Sequence, residues 1–365
     1  LAQPSETIRV PRRRFVRGIL RLIGRFVVWL LANIKLTGHK NFPKQGPLII
    51  IANHVDNADG LLLGLHVPYL AEAMVAADLS FGWFIERILK SYGAIPVYRG
   101  KADGTATRQA LSVLEQGGVV LLFPEGGIWR PAGKPLHTGA AWLSQKAQAP
   151  VLPVGLVNTR GAFKRALKFE RPEVEIRVGT PLPPPSPAVD GKPDKAQLQM
   201  LVEGMMAEVA KLVPPDSMQQ VLSPDEYQFD LKIALTTADG QPLALPKELP
   251  EAQAKLLGEL YYDMNLLDTF KENVRLPVDA RPLLEPNQPY AAAAVAQAIQ
   301  AMLHYVDTEN VYFFSYRYGQ KDGDTIRAGF EFLQEMAQQA ADKKYQLMLH
   351  PKVKRLKSEK MAMPS

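Results

Sequence analysis

Five consecutive apolar residues, Leu48-Ile49-Ile50-Ile51-Ala52, run between Gly46-Pro47 and a polar stretch that begins at Asn53. A run with no polar residue at either alternate position reads as a strand buried on both faces, the kind that lies inside a sheet with helices on each side. The rest of this half of the chain keeps to that plan. Residues 61–76 and 80–91 read as helices, 93–100 as a short strand, 104–116 as a helix, and 117–127 as a strand running into a loop. A helix over 138–148, strands over 149–158 and 173–180, a proline-rich linker at 181–193 and a helix over 195–213 follow. The expected fold is α/β, a mixed sheet flanked by helices.

From residue 214 the character changes. Strands are expected in Tyr227–Thr237 and in Asn310–Gly319, with helices over 251–270, 290–305 and 325–342, so that 214–365 forms an added C-terminal α+β region. Its end is basic, with Lys352, Lys354, Arg355, Lys357 and Lys360, and is expected to be a solvated, frayed tail, with contact to anionic lipid as the alternative. A chain of 365 residues accommodates two such units.

The first 37 residues carry a different signal. Phe15, Ile19, Leu22, Phe26 and Trp29 recur at spacings of four and three and share one helical face, while Arg14, Arg17, Arg21 and Arg25 share the opposite one. No carboxylate occurs between Glu6 and Asp56, and the uninterrupted apolar run Phe26–Ala32 is far shorter than the roughly 20 residues a membrane span needs. The expectation is a helix lying in a lipid interface, guanidinium groups toward phosphates and Trp29 at headgroup depth; the alternative is an amphipathic helix packed on the domain's own core. No secretory leader is expected, because the first apolar stretch follows an arginine cluster and lacks a small-residue cleavage pattern. The net charge of +6 suits an anionic partner. The absence of cysteine excludes disulfides, a zinc knuckle and a thiol nucleophile.

The chemistry-bearing residues sit at strand ends. The loop after Leu48–Ala52 holds His54 and Asp59, five positions apart. A helix begun near Asp59 lets its carboxylate fold back on the imidazole, fixing the tautomer and leaving the second nitrogen as a base. Gly93-Ala94-Ile95-Pro96-Val97-Tyr98-Arg99 ends a second strand on an arginine, and Phe123-Pro124-Glu125-Gly126-Gly127 ends a third on a carboxylate and two glycines. Strand ends are where ligands bind in open α/β sheets. Arginine suits phosphate, and glycine permits close backbone approach.

This ordered set resembles the glycerophospholipid acyltransferase family, whose type member is 1-acylglycerol-3-phosphate acyltransferase. H-x-x-x-x-D stands at His54 to Asp59, G-x-I-P-V-x-R ends at Arg99, F-P-E-G spans Phe123 to Gly126, and a proline-bearing strand follows at Val151-Leu152-Pro153-Val154. The resemblance covers residues 35–213. It implies an acyltransferase domain over 38–213 in which His54, activated by Asp59, deprotonates a lysophospholipid hydroxyl for attack on an acyl-CoA or acyl-carrier-protein thioester. The acceptor implied is 1-acylglycerol 3-phosphate, with glycerol 3-phosphate or another lysolipid as alternatives. Arg99, Glu125, Gly126 and Gly127 would bind it.

Two departures stand out. The family's usual F-P-E-G-T-R-S reads F-P-E-G-G-I-W-R here, so Gly127 replaces a threonine and Ile128 an arginine, with Arg130 shifted by two as a substitute. Ala77 stands where members commonly have lysine; Lys101, Arg108 and Lys134 are candidate replacements. His39, His66 and His137 lack partners at meaningful spacing and are expected in structural roles. No metal, resident cofactor or nucleic acid is expected. The anticipated location is the cytoplasmic face of a membrane, with membrane phospholipid as partner. Two competing readings are a catalytically idle lipid-binding relative and a thioesterase-like hydrolase; product analysis with and without acceptor separates them.

Overall fold

The structure, a computed structural model, describes residues 7–56, 58–77, 83–98, 104–128, 135–187, 194–215, 226–262, 278–308 and 313–356. The larger sheet is built from Asn33–Thr37 (β1), Leu48–Ala52 (β2), Glu72–Ala76 (β3), Ile95–Val97 (β4), Val119–Leu122 (β5), Val151–Val157 (β6) and Glu173–Val178 (β7). Their order is β1-β7-β6-β2-β5-β3-β4. Strands β6, β2, β5, β3 and β4 run parallel, whereas β7 is antiparallel to β6 and parallel to β1, so the sheet is mixed. The helices are Arg14–Leu31 (α1), Asp59–His66 (α2), Trp83–Tyr92 (α3), Thr105–Glu115 (α4), Gly139–Ala147 (α5), Ala162–Leu167 (α6) and Lys195–Ala210 (α7).

The five apolar residues of β2 are all buried at the centre of this sheet. Alternation sends Ile49 and Ile51 toward Val113 of α4, Leu143 of α5 and Val202 of α7. Leu48 and Ile50 face Leu63 of α2 on the other side. Both faces are therefore covered, which accounts for a strand with no polar alternation.

Residues 226–356 contribute a second sheet of Tyr227–Thr236 (β8), Pro242–Leu243 (β9), Tyr290–Ala291 (β10) and Gln346–Arg355 (β11), antiparallel in the order β10-β11-β8-β9. Its helices are Glu251–Tyr262 (α8), Arg281–Leu284 (α9), Ala292–Thr308 (α10), Phe313–Tyr318 (α11) and Gln320–Asp342 (α12). They share an apolar core around Leu257, Ile299, Phe330 and Leu333.

Three sequence expectations are corrected. Residues 61–76 are not one helix: α2 stops at His66, before Pro68, and 72–76 is strand β3, paired with β4 and β5. Of the aromatic stretch expected as a strand at 310–319, residues 313–318 form helix α11, whose Phe313 and Phe314 are buried with Phe330, so tertiary packing overrides the β preference of aromatics, and 310–312 lie outside the described residues. The basic end is no frayed tail up to Arg355, since β11 pairs with β8 along its length, although Lys352, Lys354 and Arg355 are exposed. Lys357 and Lys360 lie outside the described residues.

Helix α1 also departs from its expected placement. Of the arginine face expected toward lipid phosphate, Arg17, Arg21 and Arg25 bond to the protein, whereas Arg14 is exposed. Arg17 is fully buried: Nη1 and Nη2 donate to the two carboxylate oxygens of Glu72 at 2.7 Å each, and Nε donates to the Tyr92 carbonyl at 2.7 Å. Arg12 reaches the same carboxylate at 2.8 Å. Arg21 donates to the carbonyls of Tyr69, at 2.9 Å, and Val67, and Arg25 to that of Leu65 at 2.7 Å. These carbonyls lie at and just beyond the C-terminal end of α2, where helical oxygens lack internal partners and the dipole favours cations. Gly24 lets the helices approach, since a Cβ there would meet Leu65 Cδ2 at 2.7 Å. The outward face is apolar, with Phe15 80%, Leu22 72%, Phe26 63% and Trp29 65% exposed. Among the described residues no helix is long and apolar enough to cross a membrane.

Candidate active site

Because β2, β5 and β6 run parallel and side by side, the loops leaving their C-terminal ends meet at one edge of the sheet. Asn53, the first residue beyond β2, is fully buried; its Nδ2 donates to the Leu156 carbonyl at 2.9 Å, and Oδ1 accepts from Leu156 N–H at 2.7 Å. This two-way bond pins the start of the loop to β6. Asp56 pins its middle: Oδ1 accepts from Ala58 N–H at 3.0 Å, and Oδ2 from Gly161 N–H at 2.8 Å.

Between these pins stands His54. Its Nδ1 lies 3.0 Å from Oδ2 of Asp59, the first residue of α2, which is wholly buried. The same oxygen accepts from the backbone N–H groups of Val55 at 2.7 Å and Asp56 at 2.9 Å. The carboxylate is thus fixed by two amides and by its place at a helix N-terminus, where the dipole favours negative charge. With Nδ1–H donated to Asp59, the base lone pair resides on Nε2. The His54 side chain keeps 18% exposure, so the base sits at the rim of the fold. Phe123 stacks on the imidazole, ring centroids 4.2 Å apart and planes at 23°, which fixes the ring's second rotational degree of freedom.

Glu125 is buried, and its Oε2 accepts from His54 N–H at 3.0 Å. Glu125, expected to bind substrate, in this way ties the loop after β5 to the loop after β2. Gly126 turns that loop with φ of 73° and its N–H bonded to the Phe123 carbonyl at 3.0 Å. Gly127 follows immediately. Strand β4 ends at Val97 on the same edge, but Arg99, Lys101, Arg130 and Lys134 lie outside the described residues. Arg108 is on α4, with Nη2 3.2 Å from Thr105 Oγ1. Among the described residues no three His, Asp or Glu side chains gather as a metal set.

Asn53, Asp56 and Phe123 carried no role of their own in the sequence expectations, although Asp56 lies inside H-x-x-x-x-D and Phe123 opens F-P-E-G. Their signals were present: a polar residue directly after an apolar strand, and an aromatic directly before Pro124-Glu125-Gly126.

The arrangement can take a proton from a hydroxyl at Nε2 and return it to a leaving group, without a protein nucleophile. Asp59→Asn should lower kcat by about 100-fold or more, because its amide oxygen can take over the bonds of Oδ2 but no longer carries the negative charge that stabilises the imidazolium. The acceptor KM should change little, since Asp59 lies behind the ring. Steady-state kinetics checks both; a purely KM effect would remove Asp59 from the proton path.

Residues 33–157 match the family model described as Acyltransferase. The chain is similar to 1-acyl-sn-glycerol-3-phosphate acyltransferase of Bacillus subtilis (strain 168), 24% identical over 159 residues that make up 43% of this chain and 78% of the relative. It is also similar to 1-acyl-sn-glycerol-3-phosphate acyltransferase of Borreliella burgdorferi, 28% identical over 156 residues, 41% of this chain and 62% of the relative. The crystal structure of the 1-acyl-sn-glycerophosphate (LPA) acyltransferase, PlsC, from Thermotoga maritima matches 55% of this chain and 79% of its own at 22% identity, with a TM-score of 0.41.

Proposed function

We propose that this O-acyltransferase moves a fatty acyl group from an acyl-CoA or acyl-carrier-protein thioester to the free hydroxyl of 1-acylglycerol 3-phosphate. The observation that carries the reading is the bond from His54 to buried Asp59 at the end of β2. His54 Nε2 takes the hydroxyl proton as the oxygen attacks the thioester carbonyl. The tetrahedral adduct collapses, the C–S bond breaks, and the proton passes from His54 to the departing thiolate. The products are the diacylated glycerol phosphate and a free thiol. No resident cofactor is needed, since the thioester supplies the activated acyl group. Arg99, with Arg130 as a second cation, is assigned to the acceptor phosphate, and the turn at Gly126 and Gly127 to close approach of its glycerol.

A second reading, an acceptor other than 1-acylglycerol 3-phosphate, has one observation in its favour. Ile128, at the usual position of a family arginine, packs against the apolar core of the C-terminal helices and offers no charge. Acyl transfer by purified protein, measured against a panel of lysophospholipids and glycerol 3-phosphate with each donor in turn, decides between them. Transfer to none, with thioester hydrolysis unchanged by acceptor, would refute both.

The reading includes a membrane site, supported by the outward apolar face of α1. Here the attractive element is hydrocarbon burial, because Arg17, Arg21 and Arg25 of α1 bind protein carbonyls and Glu72. Leu22→Glu combined with Phe26→Glu should therefore reduce sedimentation with phospholipid vesicles by on the order of 100-fold, as each side chain contributes about 1.5–3 kcal/mol when fully buried. Binding equal to wild type would mean that another surface holds the lipid.

A further inference from the structure

The C-terminal region touches the loop that follows β5. Tyr316 of α11 places its hydroxyl 2.7 Å from Nε2 of His137, and the two rings lie nearly parallel, 5° apart, with centroids separated by 5.4 Å. His137 lies against the turn at Gly126, because its backbone N–H donates to the Pro124 carbonyl at 2.9 Å. The pair closes down on Gly126. A Cβ at that position would fall 2.3 Å from the His137 ring and 2.8 Å from Tyr316 Oη, so only glycine fits beneath it. A second anchor is independent of the first: Ile128 packs against the core formed by α8, α10 and α12. The loop bearing Glu125, Gly126 and Gly127 is thus gripped at two points by residues more than a hundred positions further along the chain.

We propose that the C-terminal region forms part of the acceptor site, with Tyr316 a positioning residue that acts through His137 to hold the Gly126–Gly127 turn. The proposal rests on the reading of that turn as the acceptor's seat. Two successive glycines have large backbone freedom, and a turn left to itself would sample many conformations before meeting substrate. The stacked, hydrogen-bonded pair fixes one of them in advance. It also holds Glu125 against the His54 amide, linking acceptor seat to base. Selectivity for the acceptor is consequently set in part from outside residues 33–157.

The test uses the full chain with Tyr316→Phe, which removes the hydroxyl and keeps the ring, and Tyr316→Ala, which removes both. Hydrogen–deuterium exchange over residues 121–137 reads the turn directly. Steady-state kinetics with acceptor and donor varied separately reads its consequence. Exchange should quicken in Phe and more in Ala. The acceptor KM should rise about 3- to 10-fold in Phe, the worth of one hydrogen bond, and further in Ala, with the donor KM within about twofold. Unchanged exchange in Tyr316→Ala overturns the clamp whatever the activity. Faster exchange with an unchanged acceptor KM, or with a defect confined to the donor, overturns the acceptor role. If wild type transfers acyl groups to no acceptor while exchange still quickens, the positioning of the turn is upheld and the proposed function falls.

Discussion

His54→Ala should lower kcat by about 100- to 10,000-fold, the usual worth of a positioned general base, while urea unfolding stays close to wild type. The side chain stands in a loop, partly exposed, and closes no cavity in either apolar core. Its partner Asp59 would keep two amide donors, so the carboxylate is not left bare. The measurement is single-turnover acyl transfer at saturating donor and acceptor, with the folded state checked in parallel. A variant that retains a tenth of the wild-type rate would show that the hydroxyl loses its proton elsewhere.

The second large effect is on stability. Arg17→Met removes one side of an ion pair whose two side chains are each 1% exposed. Breaking such a pair from one side costs about 3–5 kcal/mol, because the remaining charge stays buried. Arg12 still reaches Glu72, so the lower end of that range is expected. Arg17→Met with Glu72→Leu should recover part of the loss, since no fully buried charge remains, while Arg12, 26% exposed, loses its carboxylate partner. Equilibrium denaturation of the single and double variants decides it. A double variant less stable than the single would assign the role to something other than charge burial.

What could be read from sequence was what depends on neighbours along the chain. β2 announced itself by five apolar residues, and His54 and Asp59 by their place at its end, because a strand of that kind has one destination in an α/β sheet. What could not be read depends on partners far away. The four arginines of α1 define a face, but periodicity does not say which face turns inward. That was decided by the carbonyls ending α2 and by Glu72, 55 residues from Arg17. Glu72 in turn helped disguise β3 as helix. His137 was expected in a structural role, but its partner was hidden because Tyr316 lies 179 positions away.

Helix α2 joins the proposed membrane helix to the base. At one end Asp59 sets the imidazole, and at the other Arg21 and Arg25 hold α1. Eight helical residues span about 12 Å, a length over which a helix is stiff. With α1 seated in a lipid interface, the catalytic nitrogen would therefore work at a constant height above the hydrocarbon. Such a gauge reads where a hydroxyl lies along the membrane normal and ignores how much chain hangs below it. Lysolipids of different tail length present the glycerol hydroxyl at nearly the same level and would be treated alike, whereas moving the hydroxyl along the headgroup would carry it out of reach.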